Sequence, residues 1–168
     1  MGNECCGSRS KAGVMLPRLA QSTNYQNFKI DLQQKVKDLF AENRSICFFE
    51  SSVETINSNG IDFDIRIIKS LDKKPTVKDN AEKASPFLPP FEPDLFITDL
   101  SYTHNLIFNK FCICPEHCLV TTKKQDSQDS PLTEADWFSM TLTMLSLKAM
   151  VFFNRGQLSG FSVPHKHF

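Results

Sequence analysis

Leu95-Phe96-Ile97-Thr98-Asp99-Leu100, Asn105-Leu106-Ile107-Phe108-Asn109-Lys110-Phe111-Cys112-Ile113 and Cys118-Leu119-Val120-Thr121-Thr122 are three short runs rich in apolar and β-branched residues. The first two read as paired strands, Pro115 turns the chain, and the third continues the sheet. Toward the C-terminus, Thr133 with an acid three positions later, Asp136, forms a helix-capping signature, and a helix is expected to about Met150. Met150 to Phe153 reads as a short apolar strand, Asn154 to Gly160 as a turn with two glycines, and Phe161 to Phe168 as a last strand. Toward the N-terminus, residues 69–94 carry Lys, Asp and five prolines and read as a loop. Asn59-Gly60, followed by alternating Ile61, Phe63, Ile65 and Ile67, predicts a hairpin with a half-buried strand. Ile46 to Phe49 reads as the start of a strand. Tyr25, Phe28, Leu32, Val36 and Leu39 recur at three- and four-residue steps, predicting an amphipathic helix over 24–43. Residues 1–22 read as a disordered basic leader and 23–168 as one domain. The expected class is α+β, an antiparallel sheet with helices packed on one face.

The chain has 168 residues, 40% of them hydrophobic, with 19 basic side chains balancing 19 acidic ones. A domain of this length can bury a core without staples. Zero net charge argues against a general nucleic-acid binder. No run approaches the ~20 apolar residues of a membrane span, and no apolar secretion signal opens the chain, so a cytoplasmic protein is expected. The six cysteines then read as reduced thiols. Cys112, Cys114, His117 and Cys118 are close in sequence but lack the paired knuckles of a zinc site. The cysteines read as small apolar strand positions, and no metal is expected there.

After Asp136 there is no further acid, while Lys148, Arg155, His165, Lys166 and His167 all follow. An anion would be attracted to that third of the chain. The turn Asn154-Arg155-Gly156-Gln157-Leu158-Ser159-Gly160 can bring backbone N–H groups close to phosphate oxygens. On a strand, His165 and His167 share one face, roughly 6 to 7 Å apart. A neutral imidazole is available near pH 7 and forms a labile bond to phosphorus, which suits nucleotidyl transfer. The spacing alone fits solvated histidines or metal ligands as well.

Asn105 to Phe111, Pro115-Glu116-His117, Pro131-Leu132-Thr133, Val151 to Asn154, Gly156, Ser159-Gly160, Ser162 and His165-Lys166-His167 occur in an order that resembles the N-terminal half of the fungal-type ATP adenylyltransferases. These are diadenosine tetraphosphate phosphorylases of the histidine triad superfamily. The resemblance runs from about Phe63 to Phe168 and implies a histidine triad-like fold, incomplete at its C-terminal side. It implies phosphorolysis of diadenosine tetraphosphate to ATP and ADP through an adenylyl-histidine. The implied nucleophile is His167, supported by His165. The implied phosphate or nucleotide contacts are Lys74, Asn109, Lys110, Asn154, Gly160 and Ser162, with Phe161 and Val163 lining the same loop in place of the small or polar residues usual there. The implied partners are adenine dinucleotides, ATP, ADP and phosphate, with no cofactor beyond a divalent cation such as Mg travelling with the nucleotide. The glutamine that the family carries two positions beyond its nucleophile would be residue 169. His117 reads as a turn residue, because the CxxC pair that recruits its counterpart to a metal in related uridylyltransferases does not occur.

Two other readings stand beside this one: a nucleotide-binding fragment without a complete site, and a histidine triad-type hydrolase that uses water. At the N-terminus, Gly2, Cys5 and Cys6 beside Arg9, Lys11 and Arg18 would suit an acylated membrane contact, although Cys6 stands where myristoylation favours Ser or Thr. An unmodified leader is the alternative.

Overall fold

The computed structural model describes residues 23–42, 51–68, 85–92 and 94–168. The first helix, α1 (Thr23–Glu42), matches the expected apolar stripe to within a residue. Its Tyr25, Leu32 and Val36 are buried, and Phe28, Leu39 and Phe40 pack beside them. The hairpin pairs β1 (Ser51–Ser58) with β2 (Ile61–Ile68) in continuous antiparallel register. Asn59 and Gly60 both take positive φ, 53° and 81°, the conformation a two-residue turn needs to follow the twist of its strands.

One expectation about this hairpin fails. Ile61, Phe63, Ile65 and Ile67 do share a face, but they are between 41% and 60% exposed. Alternation marks a face that can be covered without supplying the cover. The opposite face is tied by side-chain hydrogen bonds, Thr55 to Asp64 at 2.8 Å and Asn57 to Asp62 at 2.7 Å.

The second sheet has the order β3 (Phe96–Asp99), β4 (His104–Phe108), β5 (Cys118–Thr122), all antiparallel. All five residues of β4 are buried. Its last three residues, Leu106, Ile107 and Phe108, form a continuous apolar run because both faces of the strand are covered. Leu106 and Phe108 join Ile97, Val120 and the apolar faces of both helices in the main core. Ile107 and Leu119 join Phe87, with Phe91, Phe96 and Val163 packed against them, in a second cluster. Each fully buried Leu, Ile or Phe contributes about 1.5–3 kcal/mol relative to exposure. β4 stops at Phe108, short of the expected Ile113.

The second helix, α2 (Glu134–Leu147), begins where its capping residues predict. The Thr133 hydroxyl accepts from the Asp136 N–H, and the Asp136 carboxylate accepts from the Thr133 N–H at 2.7 Å. Lys148 closes the helix in a left-handed conformation, three residues before the expected end. No strand forms at Met150–Phe153, where Met150 lies largely in solvent. The expected strand at 161–168 shrinks to the stretch beside β5, where His167 bridges Thr121 and His165 bridges Ser127. Phe161 to Pro164 run outside any ladder, consistent with the Pro164 ring and the glycine-bearing turn before it. The expected leader at 1–22 and strand start at 46–49 lie outside the described residues.

Candidate functional site

The stretch 165–168 alternates as a strand does, and its two faces have opposite chemistry. His165 and His167 both meet the ring of Phe87 edge-on, at centroid distances of 5.7 and 5.0 Å. Phe168 packs on Phe153 in the main core, and Lys166 faces α2. Lys166 is only 1% exposed. Its ammonium bonds the carboxylates of Asp126 at 2.6 Å and Asp136 at 3.2 Å and the carbonyl of Pro131 at 3.1 Å. Burial pulls the Lys166 ammonium toward its neutral form, but the two carboxylates outweigh it and raise its pKa above the ordinary value. Lys166 in turn holds Asp126 below the usual carboxylate range. For Asp136, burial works upward, and the Thr133 bonds together with Lys166 carry it below that range. Lys166 is thus a neutralised strut, which corrects its reading as part of a field awaiting an anion.

His165 is completely buried. Its Nε2 lies 2.8 Å from the Thr122 hydroxyl and 2.9 Å from the Thr122 carbonyl. That hydroxyl already donates to the Lys124 carbonyl, so Nε2–H is the donor. Nδ1 is then an acceptor, and Ser85 donates to it at 2.6 Å. Burial pushes the pKa of His165 below the ordinary histidine value, which keeps the ring neutral. With both nitrogens engaged, this ring is a support. The turn at Ser85–Leu88, within the long expected loop, is thereby fastened over the histidine pair.

His167 has a different task. Its Nδ1 lies 2.7 Å from the carbonyl oxygen of His165, and a carbonyl only accepts, so Nδ1 carries the proton and Nε2 the lone pair. The ring lines a cavity of about 1360 Å³. Asn109, Lys110, Asn154, Gly160, Phe161, Ser162 and Val163 line the same cavity, so the described residues singled out from sequence converge on one space. Lys74 lies outside the described residues. Lys110 pairs with Glu92 at 2.6 Å, both half-exposed, so solvent keeps the contact weak. Asn109 clasps the base of the 109–117 loop: its N–H donates to the His117 carbonyl at 2.8 Å, and its side-chain oxygen accepts from the Phe111 N–H at 2.9 Å. His117 sits in that turn, where the Ile113 N–H donates to its Nδ1. Gly160 adopts φ +87°, a conformation that a side chain resists.

Several residues at the site carried no sequence signal. Arg66 of β2 brings a second cation to the cavity. Ser85 and Thr122 orient His165, and Gln128 hydrogen-bonds the backbone of His167 on both sides. His104 is a core residue: the Thr103 and Ser139 hydroxyls lie 2.9 and 3.0 Å from its Nδ1, its Nε2–H donates to Asp136, and burial lowers its pKa against the pull of that carboxylate. Burial raises the Cys118 thiol to about 12, so it remains protonated at neutral pH. Among the described residues, no group of three or more His, Cys, Asp or Glu is arranged to hold a metal ion. No helix among them is long and apolar enough to cross a membrane.

The fold and site define an α+β domain that sets a His-x-His pair at the wall of a cavity, with His165 fully buried and His167 half-buried. The chain belongs to the Ap4A phosphorylase N-terminal domain family, which it matches over residues 21–168. It is 28% identical over 157 residues to diadenosine 5',5'''-P1,P4-tetraphosphate phosphorylase 2 of Saccharomyces cerevisiae, covering 82% of this chain and 48% of that protein. It is 32% identical over 109 residues to protein APA1 of the same yeast, covering 58% of this chain and 34% of that one. The crystal structure of yeast Ap4A phosphorylase Apa2 in complex with AMP matches with a TM-score of 0.66 at 28% identity, over 81% of this chain and 47% of that one. Apa2 in complex with Ap4A shares the fold, with a TM-score of 0.65 at 24% identity, over 82% of this chain and 50% of that one. The chain therefore spans about half the length of phosphorylase 2 and of Apa2.

Proposed function

We propose that residues 23–168 form a histidine triad-like nucleotidyltransferase domain that works in the cytoplasm on adenine dinucleotides, with His167 as the adenylylated residue. The observation that carries this reading is the 2.7 Å contact of Nδ1 with the His165 carbonyl, which leaves the lone pair on Nε2 of a ring lining the cavity. Nε2 attacks the α-phosphorus of diadenosine tetraphosphate, an N–P bond forms, and the bridging P–O bond breaks with release of ATP. The His165 carbonyl, already accepting from Nδ1–H, stabilises the positive charge that develops on the ring. Inorganic phosphate then attacks the same phosphorus, the N–P bond breaks, and ADP leaves with the imidazole restored. Lys110, Asn109 and Asn154, with Lys74, offset polyphosphate charge or hold the nucleotide, and Gly160 and Ser162 meet the α-phosphate. Phe161 and Val163 give the loop an apolar lining.

The test is incubation with diadenosine tetraphosphate, with and without phosphate, followed by product analysis and mass mapping. Phosphate-dependent ADP beside ATP, and AMP label on His167 without phosphate, are the expected results. AMP released by water would instead mark a hydrolase. Binding without any product would favour a second reading, a nucleotide-binding unit that lacks what the other half of its longer relatives supplies.

A further inference from the structure

Phe168 exchanges both of its backbone bonds with Val120, at 3.0 and 3.2 Å. In an antiparallel ladder the neighbouring residue then turns its N–H and C=O to the opposite edge, so His167 needs partners there. Pro164 and Lys166 turn their backbone groups to the same edge as Phe168: the Thr122 N–H donates to the Lys166 carbonyl at 3.3 Å, and the Lys166 N–H donates to the Asp126 carbonyl and the Gln128 N–H to the Pro164 carbonyl, both at 2.9 Å. On the edge that His167 faces, the side chain of Gln128, itself 1% exposed, takes the place of a strand. Its Oε1 accepts from the His167 N–H at 2.8 Å, and its Nε2 donates to the His167 carbonyl at 3.0 Å and to the Asn154 carbonyl at 2.8 Å. These partners fix the orientation of the carboxamide, because a flipped amide would set N–H against N–H and oxygen against two carbonyls.

We propose that Gln128 is the positioning residue of His167: its carboxamide stands in for a strand neighbour, holds the backbone that aims the imidazole, and ties it to Asn154 at the start of the glycine-bearing turn. A reacting group needs its supporting shell to hold it within about half an ångström, and a backbone free to rotate at residue 167 would carry the ring with it. The proposal deepens the adenylylation reading and rests on it.

The experiment compares Gln128→Met, which keeps length but offers neither donor nor acceptor, with Gln128→Glu, which keeps an acceptor but sets oxygen against the two carbonyls. Four quantities are read on the 168-residue chain: hydrogen exchange at the His167 amide, the ¹⁵N shifts of the His167 ring, AMP transfer from diadenosine tetraphosphate, and the Kd for ATP. In both variants the His167 amide should exchange at least about tenfold faster while the β3–β4 amides keep their protection. The ring shifts should move from one Nδ1–H tautomer toward a mixture, and AMP transfer should fall about tenfold or more with the Kd for ATP within about twofold. Should Gln128→Met lose its fold, Gln128→Glu carries the same readouts. Unchanged exchange and ring shifts would overturn the proposal, as would a loosened His167 that transfers AMP at the parental rate. Failure of the parent chain to label at His167 would sink the adenylylation reading, and exchange and ring shifts would still decide whether Gln128 holds the residue.

Discussion

The β1–β2 hairpin and the His165–Phe168 segment are ordered in opposite ways. The hairpin is regular for eight residue pairs, joined by a turn whose two residues announce it, and its apolar face stands largely in solvent. The histidine segment makes only two isolated bridges, yet it is among the most buried stretches of the molecule. Its order comes from partners far away in sequence: backbone bonds to Val120, Thr122 and Asp126, and the side chains of Ser85, Thr122, Asp126, Gln128 and Asp136. Regularity and fixity are therefore separate properties, and the site uses the second.

Substitutions in the two regions should therefore differ in their effects. The largest expected effect is at His167, where His167→Ala should lower AMP transfer by about a thousandfold or more, because a nucleophile has no substitute. Transfer within tenfold of the parent would remove His167 from the chemistry. Next is the strut: Lys166→Met should cost about 3 kcal/mol or more in urea unfolding, since it leaves the buried Asp136 carboxylate without its cation. The double variant Lys166→Met, Asp136→Asn should recover part of that loss, and simple additivity would show that the two residues do not act as a pair.

Acid should loosen the same region. His104 and His165 are both held below the ordinary histidine pKa of 6.5, so the unfolded chain binds protons that the native one refuses. Stability is then greatest above pH 6.5 and falls as pH drops below it, by up to about 1.4 kcal/mol per pH unit for each histidine. The carboxylates of Asp126 and Asp136, whose pKa values are lowered, add a second loss below about pH 3.8. A Tm that stays level from pH 7.5 to 5 would contradict the buried neutral histidines.

The hairpin should respond least. Gly60→Ala should cost about 1 kcal/mol, from the positive φ alone, since an added Cβ would meet nothing within 4 Å. Ile65→Thr should change stability by no more than about 0.5 kcal/mol. A much larger loss at Ile65 would show that this face has a cover in solution.

These differences also explain what the sequence made legible. Helix α1, the hairpin turn, β5 and the Thr133–Asp136 cap were readable because their signals are local: a period, a dipeptide, a spacing. The cavity residues from Asn109 to His167 were readable through a family resemblance, which carries long-range information that periodicity lacks. Gln128 and Ser85 were invisible, one in a charged loop and the other beside a run of prolines, because nothing near them in the chain hints at the backbone or ring they hold. Lys166 misled for the same reason. Its two carboxylates come from positions 126 and 136, so a count of charge along the chain placed a cation where the fold places a closed ion network.

The alternation at the end of the chain also acts as a proofreading device. A slip of one position against β5 would turn Lys166 toward Phe87 and set imidazoles against Asp126 and Asp136, leaving a cation on an aromatic edge and two acids without their strut. Such a molecule would lose its anchorage and the placement of His167 together. The register that makes the protein stable is the one that sets His167 on the cavity, so a mis-threaded copy would fail in both respects.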